Sequence, residues 1–387
     1  MRRIRPNQAA VWTICVLLAM TITACRGPGD TGQNESEPNT ATSQHDPESP
    51  TDTNEPAATT GSTLTSTPTV AAPSGTATTP PQVDGTPTIP PPATMSPTLN
   101  PTQVYSTPEV PDPTATQNSN PEPAEGVLPH SRVLSFYGHP NSSEMGILGE
   151  YGTKEEALTA LEQLAAEYLA ADPSRPVVPA FELIATVAHP HPGEDGDYLG
   201  ETGPELIQEY IDFTAANDML LILDLQIGHD TIPNQIDKIR DYLMHSHVHV
   251  ALDPEFATAA NPAVPRDRAP GEFIGEVNGH DVNLAIQMLS DLVTQHGLPR
   301  KMLIVHQFED EMIYNKYVIT PQPGVDFVLD MDGFGGRDGK ISNYNYYVQE
   351  ELIELGGIKL FFQQDAPLLT PAEIVALQPA PLVVIYQ

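Results

Sequence analysis

The chain has 387 residues, with 51 acidic and 17 basic side chains and a formal net charge of -34. That balance excludes a nucleic-acid partner and adsorption to an anionic lipid surface, because both need a basic face. Two cysteines leave no room for a disulfide framework, and 41 prolines point to a partition between folded and unfolded parts.

Arg2, Arg3 and Arg5 precede an apolar run from Val11 to Ala24, 14 residues long. A bilayer needs about 20, so the run suits the core of a signal peptide rather than a spanning helix. It ends in Ile22-Thr23-Ala24-Cys25, which resembles the lipobox of bacterial lipoproteins. The resemblance implies cleavage before Cys25 and lipidation of that cysteine. Membrane lipid is then a partner, and the protein is held at the cell membrane on its extracytoplasmic side. Residues 1–24 are thus expected to be a signal peptide and residues 25–126 the lipidated Cys with a disordered Thr/Pro-rich linker. From Arg26 to Gly126, 42 of 101 residues are Thr or Pro, and Tyr105 is the only aromatic. Such a stretch cannot bury enough apolar surface to offset its chain entropy.

Residues 127–387 change character. Eight apolar runs recur: Val133–Tyr137, Val177–Ala185, Leu220–Leu225, Val248–Asp253, Met302–His306, Phe327–Asp330, Ile358–Phe362 and Leu382–Tyr386. Most are continuous rather than alternating, as parallel strands buried on both faces require. Between them lie helical patterns, such as Leu158, Leu161, Leu164, Ala165 and Leu169. Thr153, Thr202 and Thr370 each open a capping-box pattern, with Glu three residues later. A helix over Asp281–His296 stops at Gly297. Eight such units in about 260 residues predict an α/β fold, a (β/α)8 TIM-type barrel. The sequence stops on the eighth strand, so the last helix is expected to be missing. Long strand-to-helix connections, from Gly138 to Gly152, Ala188 to Gly203 and Phe256 to Gly279, mark the carboxyl end of the strands as the working face.

Polar residues gather at that end: Tyr137 and His139, Glu182, Asp224 and Gln226, Asp253 and Glu255, His306, Asp330 and Asp332, then Lys359 with Gln363 and Asp365. Strand residues two apart share a face, which predicts that Asp253 and Glu255 point the same way, as do Asp330 with Asp332 and Asp224 with Gln226. Clustered like charges are costly without a use. The segment Leu252-Asp253-Pro254-Glu255 resembles the Asp-x-Glu ending of strand four in chitinase-type glycoside hydrolases. That resemblance implies a general-acid role for Glu255 and an orienting role for Asp253. The whole chain resembles barrel-bearing lipoproteins of bacterial surfaces.

Glycoside cleavage needs one protonated carboxyl and a second group as base or nucleophile. The candidate catalytic set is Glu255, Asp253, Asp330, Asp332 and Asp224, with crowding expected to raise the pKa of Glu255. Tyr137, His139, Gln226, His306, Gln363 and Phe334 are the candidate contacts to a polysaccharide or other small ligand. The only Trp is Trp12, so Tyr137, Phe334, Tyr344 and Tyr346 stand in as sugar platforms. Lys359 is expected to pair with an acid. This reading requires no metal and no cofactor, and a monomer is expected. Two alternatives stay open. His189 and His191, with His139, His229 and His306, suit a metal-dependent hydrolase. A non-catalytic ligand-binding lipoprotein would use the same cleft.

Overall fold

The computed structural model describes residues 124–258, 268–351 and 353–387. The signal run, Cys25 and nearly all of the Thr/Pro-rich linker lie outside the described residues. Eight parallel strands build the main sheet: β1 (Arg132–Gly138), β2 (Val177–Ala188), β3 (Leu220–Gln226), β4 (Val248–Asp253), β5 (Lys301–Gln307), β6 (Val325–Met331), β7 (Leu355–Leu360) and β8 (Val383–Tyr386). Each pairs with its successor, and β1 pairs with both β2 and β8. The sheet is therefore a closed barrel of the expected TIM type.

Helices α1 (Lys154–Ala171), α2 (Pro204–Ala216), α3 (Ile232–Lys238), α4 (Gly279–His296), α5 (Arg337–Tyr344) and α6 (Pro371–Val375) flank the strands. The connection from β5 to β6 departs from the repeat. It holds no α-helix, only single 3-10 turns, Asp310–Met312 and Lys316–Val318, around a two-residue strand, Ile313–Tyr314, that pairs with Val277–Asn278. Pro321 and Pro323 close the short segment and remove the donors a helix would need.

Residue alternation divides the apolar side chains into two sets. Leu134, Phe181, Leu223, Val250, Val305, Leu329 and Leu360 face the helices. Val133, Ala180, Ile184, Ile222, Ala251, Ile304, Val328 and Ile385 fill the lower barrel. Each buried Val, Leu, Ile or Phe contributes roughly 1.5–3 kcal/mol. On α1, Ala157, Leu161 and Tyr168 are buried, while Leu169 from the expected apolar stripe is 47% exposed. Tyr168 takes the inward position instead, its hydroxyl 2.9 Å from that of Tyr386.

Only one of the three expected capping boxes is complete. The Thr370 hydroxyl accepts the Glu373 N–H, and the Glu373 side chain accepts the Thr370 N–H. Thr153 accepts from Glu156 N–H at 3.2 Å. Thr202 instead donates to the Ile184 carbonyl at 2.7 Å, leaving Gly203 as the N-cap of α2. That hydroxyl fastens the short antiparallel strand Leu199–Glu201 onto the end of β2. Gly297 ends α4 in the left-handed conformation, as the sequence predicts.

Candidate active site

The same alternation aims polar side chains inward at the carboxyl end of the strands. Tyr137 comes from β1, Glu182 from β2, Asp224 from β3, Asp253 from β4, His306 from β5, Asp330 from β6 and Lys359 from β7; all are buried. Asp332, just past β6, is drawn in by its N–H bond to the Gln307 carbonyl at 3.0 Å.

His306 is the centre. Its Nδ1 lies 3.0 Å from Asp330 Oδ2 and 3.5 Å from Asp332 Oδ2. Its Nε2 lies 3.0 Å from Glu182 Oε1 and 3.7 Å from Asp224 Oδ1. Burial opposes a charge on the ring, yet the bonds to Asp330 and Glu182 hold its pKa well above the ordinary value. Lys359 is the second cation. Its Nζ donates to Asp332 Oδ2 at 3.0 Å and sits 3.8 Å from the centroid of the Tyr137 ring. Burial again works against its charge, but Asp332, Asp253 and Glu182 raise its pKa above that of a free lysine. The Tyr137 hydroxyl in turn donates to Asp224 Oδ2 at 3.3 Å. Gly146, with φ of 97°, lets the following loop close over that strand end; a Cβ there would stand 2.5 Å from the Tyr137 carbonyl.

The carboxyl groups are not alike. Burial raises the pKa of Asp330, and the bond to His306 only partly offsets it. Asp224 is raised well above its ordinary value, by burial and then by the charge of Asp253. Asp253 is also raised by burial, against the pull of His306 and Lys359. For Asp332, burial is outweighed by Lys359 and His306, so its pKa is lowered and it stays ionised. Glu255 is pushed up to about 8 by burial, then by Asp253 and Asp332. Asp330, expected to contribute to that crowding, is spoken for by His306.

Asp253 and Glu255 do not share a strand face as their spacing predicts. Strand β4 stops at Asp253 and Pro254–Phe256 form a 3-10 turn. Asp253 Oδ1 caps that turn by accepting the Glu255 N–H at 3.0 Å. Pro254 fixes the bend, because it cannot donate to a continuing ladder. Glu255 is thereby carried out of the buried set and is partly exposed.

Several sequence candidates lie outside this cluster. Gln226 is buried, with Oε1 accepting the Ala188 N–H at 2.8 Å. His139 turns into its own loop, where Nδ1 accepts the Asn141 N–H at 3.3 Å; burial lowers its pKa. Gln363 is exposed and donates to Glu150 Oε1 at 2.7 Å. Phe334 is half-buried edge-on to Phe361. Tyr344, expected as a platform, is fully buried and donates to the Pro379 carbonyl at 2.6 Å. Asp365 is a loop staple: it accepts the Gly335 and Phe361 N–H groups and pairs with Lys340 at 2.9 Å.

The loop histidines do not converge. His191 N–H bonds back to His189 Nδ1, and His229 contacts the Arg268 carbonyl and the Tyr198 ring. Among the described residues, one group of acids and histidines lies close enough to share an ion, namely Glu182, Asp224 and His306. Lys359 pairs with an acid as expected, through Asp332, whereas Glu182, absent from the expected catalytic and binding residues, belongs to the cluster. Their signal was a charge inside an apolar strand run, at an inward-facing position, where only a paired charge is tolerable.

The chain matches no family model and no curated protein. Among solved structures it is similar to the Bacillus subtilis mannanase man26, at 11% identity and a TM-score of 0.36, over 66% of this chain and 79% of that one. The Bacillus subtilis mannanase BCman gives 11% identity and 0.35, over 67% and 81%. The Podospora anserina GH26-CBM35 beta-(1,4)-mannanase gives 11% identity and 0.30, over 58% and 54%. The barrel assignment rests on the strand pairing itself.

Proposed function

We propose that the barrel is a glycoside hydrolase-like enzyme acting on a polysaccharide, with Glu255 as general acid and Asp332 as the second carboxylate. The observation that carries this reading is their opposite electrostatics in one mouth. Glu255, partly exposed, holds its proton up to about 8. Asp332 is kept ionised by Lys359 and His306. Two acids whose pKa values are driven apart are the division of labour that glycoside cleavage needs. Glu255 donates its proton to the leaving oxygen. Asp332 activates water or attacks the anomeric carbon, and Lys359 holds it in place. Asp253 fixes the Glu255 backbone and, by its charge, helps hold the proton there. Asp330 and Asp224 lie deeper, against His306 and Tyr137, and orient rather than react.

The reading also places the enzyme on the extracytoplasmic face of the cell membrane as a monomer, tethered through a lipid on Cys25. The basic start, the 14-residue apolar run and Cys25 support the tether. Mass spectrometry finding Cys25 unmodified and the leader retained would remove it.

Full-length protein in detergent is screened against soluble glycans, and Glu255→Gln is compared on any substrate turned over. Loss of general-acid function lowers turnover by roughly 10²–10⁴-fold with little change in binding. A Gln variant with full turnover contradicts the acid role. Glycan binding without turnover in the wild type favours a ligand-binding lipoprotein instead.

A further inference from the structure

Beneath Glu255, the buried set holds more carboxyl groups than cationic side chains. Among the described residues, Glu182, Asp224, Asp253, Asp330 and Asp332 face only Lys359 and His306. Lys340, nearby, is taken by Asp365 at 2.9 Å. Three carboxylate oxygens of the set, Glu182 Oε2, Asp224 Oδ1 and Asp330 Oδ1, are buried with no hydrogen-bond partner among the described residues. Such oxygens are costly to leave unanswered.

We propose that Glu182, Asp224 and His306 form a site for one divalent transition-metal ion, with Nε2 of His306 and one oxygen of each carboxylate as protein ligands. Three observations carry it. The ligand atoms all lie within 4.8 Å of one another. Ligands about 2.1 Å from a common ion stand roughly 3–4.2 Å apart, and Nε2 lies 3.0 Å from Glu182 Oε1 and 3.7 Å from Asp224 Oδ1. Second, the outer partners are in place. Asp330 Oδ2 sits 3.0 Å from Nδ1, on the far side of the imidazole, and orients it as carboxylates orient metal-bound histidines. The Tyr137 hydroxyl holds Asp224 Oδ2, leaving Oδ1 for the ion. Third, Asp224 Oδ1, the oxygen that lies 3.7 Å from Nε2, is itself without a hydrogen-bond partner, and an ion at this position answers it. Binding requires Nε2 to be unprotonated, so the proton now shared with Glu182 leaves for solvent as the ion enters. One imidazole with two carboxylates suits Mn²⁺ or Zn²⁺ better than Ca²⁺, which prefers six to eight oxygens.

The inference is independent of glycoside cleavage, and its test reads binding rather than turnover. Full-length protein is stripped with a chelator and titrated with Mn²⁺, Zn²⁺, Mg²⁺ or Ca²⁺, with metal content and thermal unfolding recorded. The expected result is one Mn²⁺ or Zn²⁺ per chain and a rise in Tm that chelator reverses. Glu182→Gln and Asp224→Asn should each weaken binding at least 10–100-fold, while Glu255→Gln binds as the wild type does. Zinc-edge X-ray absorption on the wild type guards against variants that fail to fold; it should show one imidazole nitrogen with oxygen ligands. No stoichiometric ion, undiminished binding in both folded variants, or a shell with sulfur or several imidazoles would each overturn the site.

Discussion

Glu255→Gln should make the protein more stable at neutral pH, and the gain should grow with pH. In the unfolded chain this carboxyl ionises near 4.5, whereas in the barrel it holds its proton up to about 8. Between those values the native state binds the proton and the unfolded state does not, so raising the pH favours unfolding. Each pH unit in that window costs about 1.4 kcal/mol, which sets an upper bound of roughly 3.4 kcal/mol at pH 7. Glu255 is partly exposed and shares its field with Asp253 and Asp332, so screening reduces this to about 1–2 kcal/mol. The amide keeps the shape and carries no such cost. At roughly 2–4 °C per kcal/mol for a domain of this size, Tm should rise by about 2–8 °C at pH 7. The difference should vanish at pH 4, where both states are protonated, and widen at pH 9. Urea denaturation of both proteins at the three values measures it. A Gln variant that is less stable than wild type at pH 9 would mean that Glu255 is an ionised, hydrogen-bonded carboxylate, and the assignment of its proton would be wrong.

Lys359→Met leaves Asp332 buried without its cation and should cost about 3–5 kcal/mol in urea denaturation at pH 7; a loss under 1 kcal/mol would show that the pair is solvated. Asp365→Asn cannot serve the Gly335 and Phe361 amides and Lys340 together, so it should lower stability by roughly 2–3 kcal/mol. Turnover per folded molecule should be retained, and an unchanged Tm would refute the staple. Gly357→Ala places a Cβ 2.7 Å from Asp330 Oδ1; a loss of roughly 1–3 kcal/mol is expected by calorimetry, and a neutral variant would show that Asp330 has room to move.

All eight strands of the barrel could be read from sequence because each is a short apolar run buried on both faces. Strand β7 starts three residues before and ends two residues before the expected Ile358–Phe362. Gly356 and Gly357 lie in the strand ahead of the expected start at Ile358, and a Cβ at either would strike Val348 or Asp330. Close packing, which leaves no mark in local propensity, decided that boundary. The approximate site was legible as polar residues at strand ends. Its inner arrangement was not, since the spacing of Asp253 and Glu255 says nothing of a strand that stops between them. Likewise nothing in the sequence near Asp365 or Gln363 reveals that one ties its own loop to the loop after β6 and the other reaches across to Glu150. Glu182 was visible as an acid inside an apolar run, but its partner His306 lies 124 residues away.

That separation has a consequence for how the barrel can be divided. Strands β1–β4 bring three of the buried acids, Glu182, Asp224 and Asp253, and neither of the cations that answer them. His306 and Lys359 both arrive with β5–β8, together with Asp330 and Asp332. A half-barrel of the first four strands that doubled with its own copy would press unanswered acids together, whereas the second half carries the positive charge they lack. The two halves are thus unequal and mutually specifying. Fragments cut in the long connection between β4 and β5 would recognise each other and reject copies of themselves, with the crossbar of His306 as the latch.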